Sequence, residues 1–378
     1  DFSYFSFHYS DKYSFSQKLV DLLGDPISPT QSHLVTKRSA DIASSIQKVT
    51  EDILVKLAIS LRKKTNLPNL CMAGGVALNS VANYKLLKES GFKNIYIQPA
   101  ASDAGGALGA ALYVYHHVLN NKNRQSMTNA YLGQQFNNSE IEQFLKTNSD
   151  KDTSDGGETT TLTPPRWRKL NNDQLISFVV DRLCQGKVIG WMQGRFEWGP
   201  RALGNRSILA DPRNPKMKEI INSKVKFREA FRPFAPSVLA EYADSIFDLS
   251  VLNSRQTRFV QNDKPGLDYT RKLKLSTHFP LRFMLYVVPV RKDWQKKVPA
   301  INHIDNTSRP QLVYEKDNPL YHKLIIAFYK KTGVPLILNT SFNLRGEPII
   351  ASPADAYSTF TRSEIDVLVM GNFVCEKK

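Results

Sequence analysis

The sequence predicts an α/β unit followed by a mixed-sheet α+β domain, on three observations. Near residue 70 a short apolar run, a Gly-Gly pair and a helical stretch follow one another in NLCMAGGVALNSVANYKLL, the order of a strand, a turn and a helix. Residues 148–165, NSDKDTSDGGETTTLTPP, are polar with almost no large apolar residue, the composition of a linker or mobile surface loop. Beyond it, strands and helices mix without a strict βαβ rhythm, which favours an α+β or mixed-sheet arrangement. The boundaries drawn from this are 1–125 for the first unit, 126–168 for the linker and 169–378 for the second domain.

Residues 1–30 read as an aromatic-rich entry segment with one short helix at 13–23, ended by the turn Gly24-Asp25-Pro26. Ile42, Ile46, Val49, Ile53, Leu57 and Leu61 then recur at helical spacing, an amphipathic helix roughly 40 Å long by the rise per residue. Leu70 to Ala73 is a buried strand, Gly74-Gly75 a turn, and a helix runs from Asn79. A glycine turn ahead of a helix N-terminus can cradle an anion or nucleotide; a plain structural turn is the equal alternative. NIYIQP is a strand, and SDAGGALGAALYVYHHVL a helix that Ser102 or Asp103 can cap. Asp103 reads either as that cap or as a ligand held over a cleft.

The second domain opens with a helix at 173–185 and the strand VIGWMQ, followed directly by the loop GRFEWGPRALGNRS at 194–207. Then come the helix PKMKEIINSKV, the basic passage KFREAFRPFAPSVL, an irregular polar excursion at 253–278, and FMLYVVPV as a buried strand. HIDNTSRPQLV passes from loop to strand, NPLYHKLIIAFYKKTG is an amphipathic helix ended by Gly333, and VPLILNTSFN is a strand entering a polar turn. SPADAYSTFTRSE is a Ser-capped helix and IDVLVMGNFVCE gives the last strands.

Composition sets the outer bounds. The 378 residues are 41% hydrophobic and 23% charged, enough for two or three ordinary cores. No apolar run reaches membrane-spanning length and no signal peptide is evident, so membrane partners are not expected. The chain lacks an initiator Met and reads as a fragment or a processed product. Three scattered cysteines, Cys71, Cys184 and Cys375, form neither a zinc ribbon nor a disulfide framework, and a cytoplasmic location is the default. The net charge of +16 suits nucleic acid, an anionic membrane surface or small anions.

Chemistry concentrates in the loop 194–207, which packs Arg195, Arg201 and Arg206 among glycines. A guanidinium offers a fixed fork of donors to anion oxygens, and glycine lets backbone approach a ligand. Lys226, Arg228 and Arg232 are expected to converge with these arginines, and so many cations on one face call for a polyanion such as a triphosphate or pyrophosphate. Ser341 and Asn343 have the reach to orient a phosphoryl or carbonyl oxygen; Asn339 and Thr340 can instead satisfy turn backbone. No nucleophile motif and no Walker A sequence is present. Positioning and charge stabilisation are therefore the expected modes of catalysis.

The motifs GRFEWGPRALGNRSIL, KFREAFRPFAPSVL, SRPQLV, LILNTSFNLRGEPI, AGGVALNSVAN and PAASDAGGALGAAL resemble the NodU/CmcH family of O-carbamoyltransferases. The resemblance implies a partial actin-like (ASKHA) domain followed by a YrdC-like domain that forms carbamoyl-adenylate from ATP and carbamoyl phosphate. On that likeness Lys226, Arg228, Ser341, Asn343 and Arg201 are catalytic. Arg195, Asn205, Arg206 and Arg309 bind nucleotide or phosphate, with Gly74, Gly75 and Asn79 as the first domain's nucleotide loop. Asp103 matches a metal ligand, implying iron or another divalent metal there and Mg2+ with ATP. The acceptor is a hydroxyl of a small sugar-like or antibiotic-like molecule.

The family's HxxxH histidines are absent, and His116-His117 have the wrong order and spacing. This chain is therefore expected to form the adenylate without transferring it. A tRNA-modification-type, RNA-associated module is the alternative, with no RNP-like motif to support it. Hydrogenase-maturation transfer lacks its cysteine-rich zinc modules, and a catalytically dead scaffold is a further reading. Oligomeric state is not legible.

Overall fold

In a computed structural model the described residues are 1–27, 35–124, 127–149, 166–229, 231–254 and 278–377. Most of the polar segment 148–165 and of the excursion 253–278 lies outside them.

Asp1–Leu57 is one compact unit. It holds a bridge between Phe5 and Phe15, helix α1 (Gln17–Leu23) and the first part of α2 (Lys37–Thr65). The amphipathic helix is therefore where its spacing placed it. Its apolar stripe is nevertheless exposed at Ile46, Val49, Ile53 and Leu57, with no cover among the described residues.

Ala58–Lys378 is the second unit. It begins with two parallel strands, β1 (Asn69–Met72) and β2 (Asn94–Ile97), joined through α3 (Ser80–Glu89). After β2 comes α4 (Ala104–Tyr113), which buries none of its residues and runs into a π turn at Val114–Val118. This expected first-domain material packs in the same unit as the large sheet. Asn83 donates to the carbonyl of Leu285, and the N–H of Val287 donates to the carbonyl of Ser80.

The stretch expected as a linker is corrected by the structure. It contains helix α5 (Asn138–Ser149), which buries Ile141 and Leu145, and strand β3 (Arg166–Lys169) at the edge of the main sheet. Helix α6 (Asn172–Cys184) follows, started by a reciprocal cap between Asn171 and Gln174.

The main sheet is completed by β4 (Ile189–Met192), β5 (Arg206–Ala210), β6 (Ala235–Leu239), β9 (Gln311–Val313), β10 (Leu336–Ser341), β11 (Val367–Met370) and β12 (Phe373–Glu376). The short pair β7 (Val288–Pro289) and β8 (Thr307–Ser308) stands apart. The eight strands run in the order β3-β12-β11-β4-β5-β10-β6-β9, parallel only at β11/β4 and β6/β9. This is the expected mixed sheet. Long runs buried on both faces, such as IGWM in β4, explain the lack of alternation in the sequence.

FMLYVVPV is buried as expected but is mostly not strand. A 3-10 turn at Phe279–Phe283 ends in left-handed Met284, and only Val288–Pro289 pairs. The reason is its docking: Leu285 and Val287 spend backbone groups on α3, so they cannot join a sheet ladder.

Candidate active site

Sheet register assembles the site. β5 and β6 each pair antiparallel with β10, and β9 runs parallel to β6. The start of β5, the end of β10 and the starts of β6 and β9 therefore share one end of the sheet. Arg201 precedes β5, Ser341 ends β10 and Asn343 follows it, Lys226 and Arg228 precede β6, and Arg309 precedes β9.

Lys226 is delivered by an irregular helix end. Helix α7 (Met217–Ile221) continues as a π turn, Asn222–Lys226, and stops at Phe227 in the left-handed region (φ 46°). Such turns and non-glycine left-handed residues cost free energy and gather at functional sites. Asn222 holds the corner: its side-chain oxygen accepts from Arg228 Nε at 2.7 Å and its carbonyl accepts from the N–H of Arg228 at 3.1 Å.

Lys226 is only 5% exposed. Its Nζ donates to the Ser341 carbonyl, to Asn343 Oδ1 at 2.8 Å and the Asn343 carbonyl at 3.0 Å, and to Ser341 Oγ at 3.2 Å. Ser341 Oγ in turn donates to Asn343 Oδ1 at 2.6 Å. Burial, then the Arg228 charge, pull the Lys226 ammonium down to about 7.

Arg309 and Arg201 add charge that no acid offsets, whereas Arg228 is partly offset by Glu229. Burial, then Arg201 and Arg228, push Arg309 down to about 9, with no acid opposing. Arg201 is also lowered, by burial alone. Nε of both is buried without a hydrogen-bond partner. Among the described residues Arg309 makes no hydrogen bond, and Arg201 has one long contact, to the carbonyl of Leu78 at 3.5 Å. Arg228 is lowered by burial first and Arg232 second; Arg232 itself pairs with Glu229 at 2.7 Å and lies at the surface. A cavity of about 730 Å³ opens beside this cluster, lined by Ser341, Asn343, Phe196, Pro200, Ile350 and Arg362.

The arginine loop itself is corrected by the structure. Residues 202–207 are buried core rather than a phosphate-facing loop. Arg206 is 0% exposed, and its guanidinium donates to the carbonyls of Gln193, Gly194, Asn205 and Gln134. Asn205 is spent on the Arg195 carbonyl and on Asn318. Both side chains are thus engaged within the protein, with Arg206 Nε alone left without a partner, and Arg195 is exposed.

Two glycines serve close internal packing rather than ligand approach. A Cβ on Gly199 would stand 2.8 Å from the Pro99 carbonyl oxygen, and one on Gly204 2.3 Å from the Tyr321 ring. Gly204 also has φ 103°. Gly204→Ala is therefore expected to destabilise the fold by about 3 kcal/mol, read by urea denaturation; an unchanged midpoint would refute this packing role.

Sequence reasoning missed Glu197, the lone acid in the loop. Its Oε1 accepts from the N–H groups of Leu203 (2.7 Å), Asn205 (2.8 Å) and Arg206 (3.2 Å). An acid among arginines was the available signal.

In the first half, Gly74 has φ 97° and donates to the Ala101 carbonyl at 2.7 Å, and Gly75 opens a 3-10 turn ending at Leu78. The Asn79 side chain caps α3 through the N–H of Ala82. Open space stands over Gly74 and Gly75, which leaves room for a ligand. Asp103 occupies the N-cap position of α4 but makes no capping hydrogen bond and is exposed, so a purely capping role is not what its geometry shows. Among the described residues no three His, Cys, Asp or Glu side chains gather to hold a metal. His116 is tied to the Asn121 carbonyl and His117 stacks on Tyr113. Asp103 alone does not fit a metal centre.

Residues 180–377 match the family described as Carbamoyltransferase C-terminus, and residues 3–112 the one described as Carbamoyltransferase N-terminus. The chain belongs to the carbamoyltransferase family. The cation cluster and the Ser341–Asn343 turn of this carbamoyltransferase-family chain both lie within the C-terminal match. It is 43% identical over 372 residues to Uncharacterized protein sll1178 of Synechocystis sp., covering 96% of this chain and 56% of that protein. It is 40% identical over 347 residues to Nodulation protein NolO of Bradyrhizobium diazoefficiens, covering 91% and 56%. Full-length HypF in the phosphate- and nucleotide-bound form aligns at a TM-score of 0.33 and 13% identity, over 64% of this chain and 28% of that one. The carbamoyltransferase-family chain thus spans about half the length of the curated relatives it matches. Among its described residues no helix is long and apolar enough to cross a membrane.

Proposed function

We propose that this chain carries the carbamoyl-activating site of an ATP-dependent O-carbamoyltransferase. The observation that carries the reading is Arg309, a half-buried guanidinium beside Arg201 and Arg228 with no hydrogen bond among the described residues. Charge so placed suits a compact polyanion; a nucleic-acid backbone asks for cations along an outer surface. Carbamoyl phosphate and the triphosphate of ATP supply the anion, and the neighbouring cavity has room for the nucleoside.

In this reading water cleaves carbamoyl phosphate to carbamate and inorganic phosphate, and a carbamate oxygen attacks the α-phosphorus of ATP. The bond to pyrophosphate breaks as carbamoyl-adenylate forms. Arg201, Arg228 and Arg309 hold phosphoryl oxygens and offset the charge on the leaving pyrophosphate, while Lys226 fixes the Ser341–Asn343 turn and adds a donor. Mg2+ accompanies ATP as substrate.

In the whole enzyme, transfer follows when a hydroxyl of a small-molecule acceptor attacks the carbamoyl carbon and AMP leaves. What supports a role for the turn Gly75–Leu78 on the transfer side is that the Leu78 carbonyl accepts from Arg201 at 3.5 Å.

Carbamoyl-phosphate-dependent ATP–pyrophosphate exchange tests the activation step. Wild type is expected to exchange and Lys226→Ala to fall to background; wild type no faster than Lys226→Ala sinks the reading.

A further inference from the structure

We propose that Glu197 is a positioning residue whose buried carboxylate closes the base of the turn that aims Arg201 at the anion. The inference rests on the site reading above and names a residue that does not itself touch the ligand.

The geometry is that of a clasp. The main chain around Glu197 is pinned from one side by the segment 130–134. Glu197 bridges Tyr131, the Trp198 N–H donates to the Ala130 carbonyl at 2.6 Å, and the Phe196 N–H to the Gln134 carbonyl at 2.9 Å. From that anchored position the side chain gathers the N–H groups of Leu203, Asn205 and Arg206 on a single oxygen. Residues 198–202, with Arg201 among them, are thereby closed into a loop. A carboxylate oxygen suits three converging donors; burial pushes this carboxyl upward, the N–H groups and the Arg206 charge pull it back, and Oε2 is buried without a partner.

The far side of the loop is clamped independently. The Leu203 carbonyl accepts from Tyr131 and Gln311, the Gly204 carbonyl from Trp191, and the Ala202 carbonyl from Asn339. Loss of the carboxylate therefore loosens the entry to residue 203 without dismantling the core. Arg201 is the group most exposed to such loosening. Its guanidinium is held among the described residues by one 3.5 Å bond to the Leu78 carbonyl, and its Nε has no partner. Glu197 also leaves the Arg201 charge uncompensated, since no acid opposes that guanidinium, which stands against Arg309. The acid thus shapes the loop while the loop's ligand-facing charge stays available.

A double-mutant cycle on the full chain tests this, with pyrophosphate and carbamoyl phosphate as probes in titration calorimetry. Glu197→Gln is expected to keep the circular dichroism spectrum and weaken binding of both probes about tenfold or more. In an Arg201→Ala background the same change should cost less than about twofold, because the group it positions is gone. A purely structural Glu197 predicts the same penalty in both backgrounds, and that result, or wild-type affinity in Glu197→Gln, overturns the proposal. Should Glu197→Gln fail to fold, Glu197→Asp, which keeps the charge and withdraws the oxygens by one methylene, enters the cycle in its place: a penalty that vanishes with Arg201 supports the proposal, and an equal penalty in both backgrounds overturns it. A wild-type chain that binds neither probe overturns the site reading itself and is thereby told apart from a failure of Glu197 alone.

Discussion

Arg309→Met should lose carbamoyl-phosphate-dependent exchange by a factor of about 10²–10³ and still melt at a higher temperature than wild type in the absence of ligand. The two effects run in opposite directions for one reason. Arg309 is half-buried, makes no hydrogen bond among the described residues, and stands against Arg201 and Arg228 with no acid opposing. A folded chain bears that repulsion and desolvation with nothing in return until an anion arrives. Methionine keeps the aliphatic stem and removes the charge, a replacement that relieves roughly 1 kcal/mol or more and raises the midpoint by about 1–2 °C in a chain of this size. Loss of a donor to charge developing in the transition state costs about 3–4 kcal/mol. Calorimetric melting with and without pyrophosphate separates the terms. Pyrophosphate should raise the wild-type midpoint and leave Arg309→Met nearly unmoved. A variant that melts lower and exchanges normally would show that Arg309 is held by something other than the ligand.

Anion binding should take up about one proton near pH 8, and the proton should go to Lys226. Burial and Arg228 hold this lysine down to about 7 in the free chain, against an ordinary value of 10.5. Above pH 7 the free amine is mostly neutral. A phosphate beside it restores the ammonium, so affinity should fall as pH rises from about 7. The sign for stability is the reverse. Between about 7 and 10.5 the unfolded chain binds the proton that the folded chain has released. Ligand-free stability should thus rise with pH across that window, by at most about 1.4 kcal/mol per pH unit. Below pH 7 both states are protonated and the penalty is fully present. Calorimetric titration of pyrophosphate in buffers of different ionisation enthalpy measures the uptake. Lys226→Met should abolish it, and an unchanged uptake in that variant would assign the proton elsewhere.

Most secondary structure in the second half was legible because glycines, caps and apolar runs punctuate it. Lys226, Arg228, Ser341 and Asn343 were legible as short pairs of chemistry-bearing residues beside strands, and sheet register then explains why they meet. The direction in which a side chain turns was not legible. Arg195, Arg201 and Arg206 look equivalent along GRFEWGPRALGNRS. In the structure Arg195 faces solvent, Arg206 ties backbone carbonyls in the core, and Arg201 reaches the cluster. Their fates depend on Tyr131, Gln311 and Asn339, which are distant in sequence. The linker reading of 126–168 missed α5 because Ile141, Phe144 and Leu145 keep helical spacing over little more than one turn, and β3 because Trp167 stands alone among basic residues. Glu197 went unnoticed because a single acid has no periodicity to betray it.

Placing Arg201, Lys226, Arg228 and Arg309 at one end of adjacent strands also sets a requirement on valence. A monovalent anion such as chloride or acetate leaves most of the repulsion in place and gains few donors. A pyrophosphate or triphosphate group balances several cations at once and presents oxygens to each. On the proposed function the cluster would thereby discriminate by charge count before shape is consulted, favouring polyphosphates over small monovalent anions.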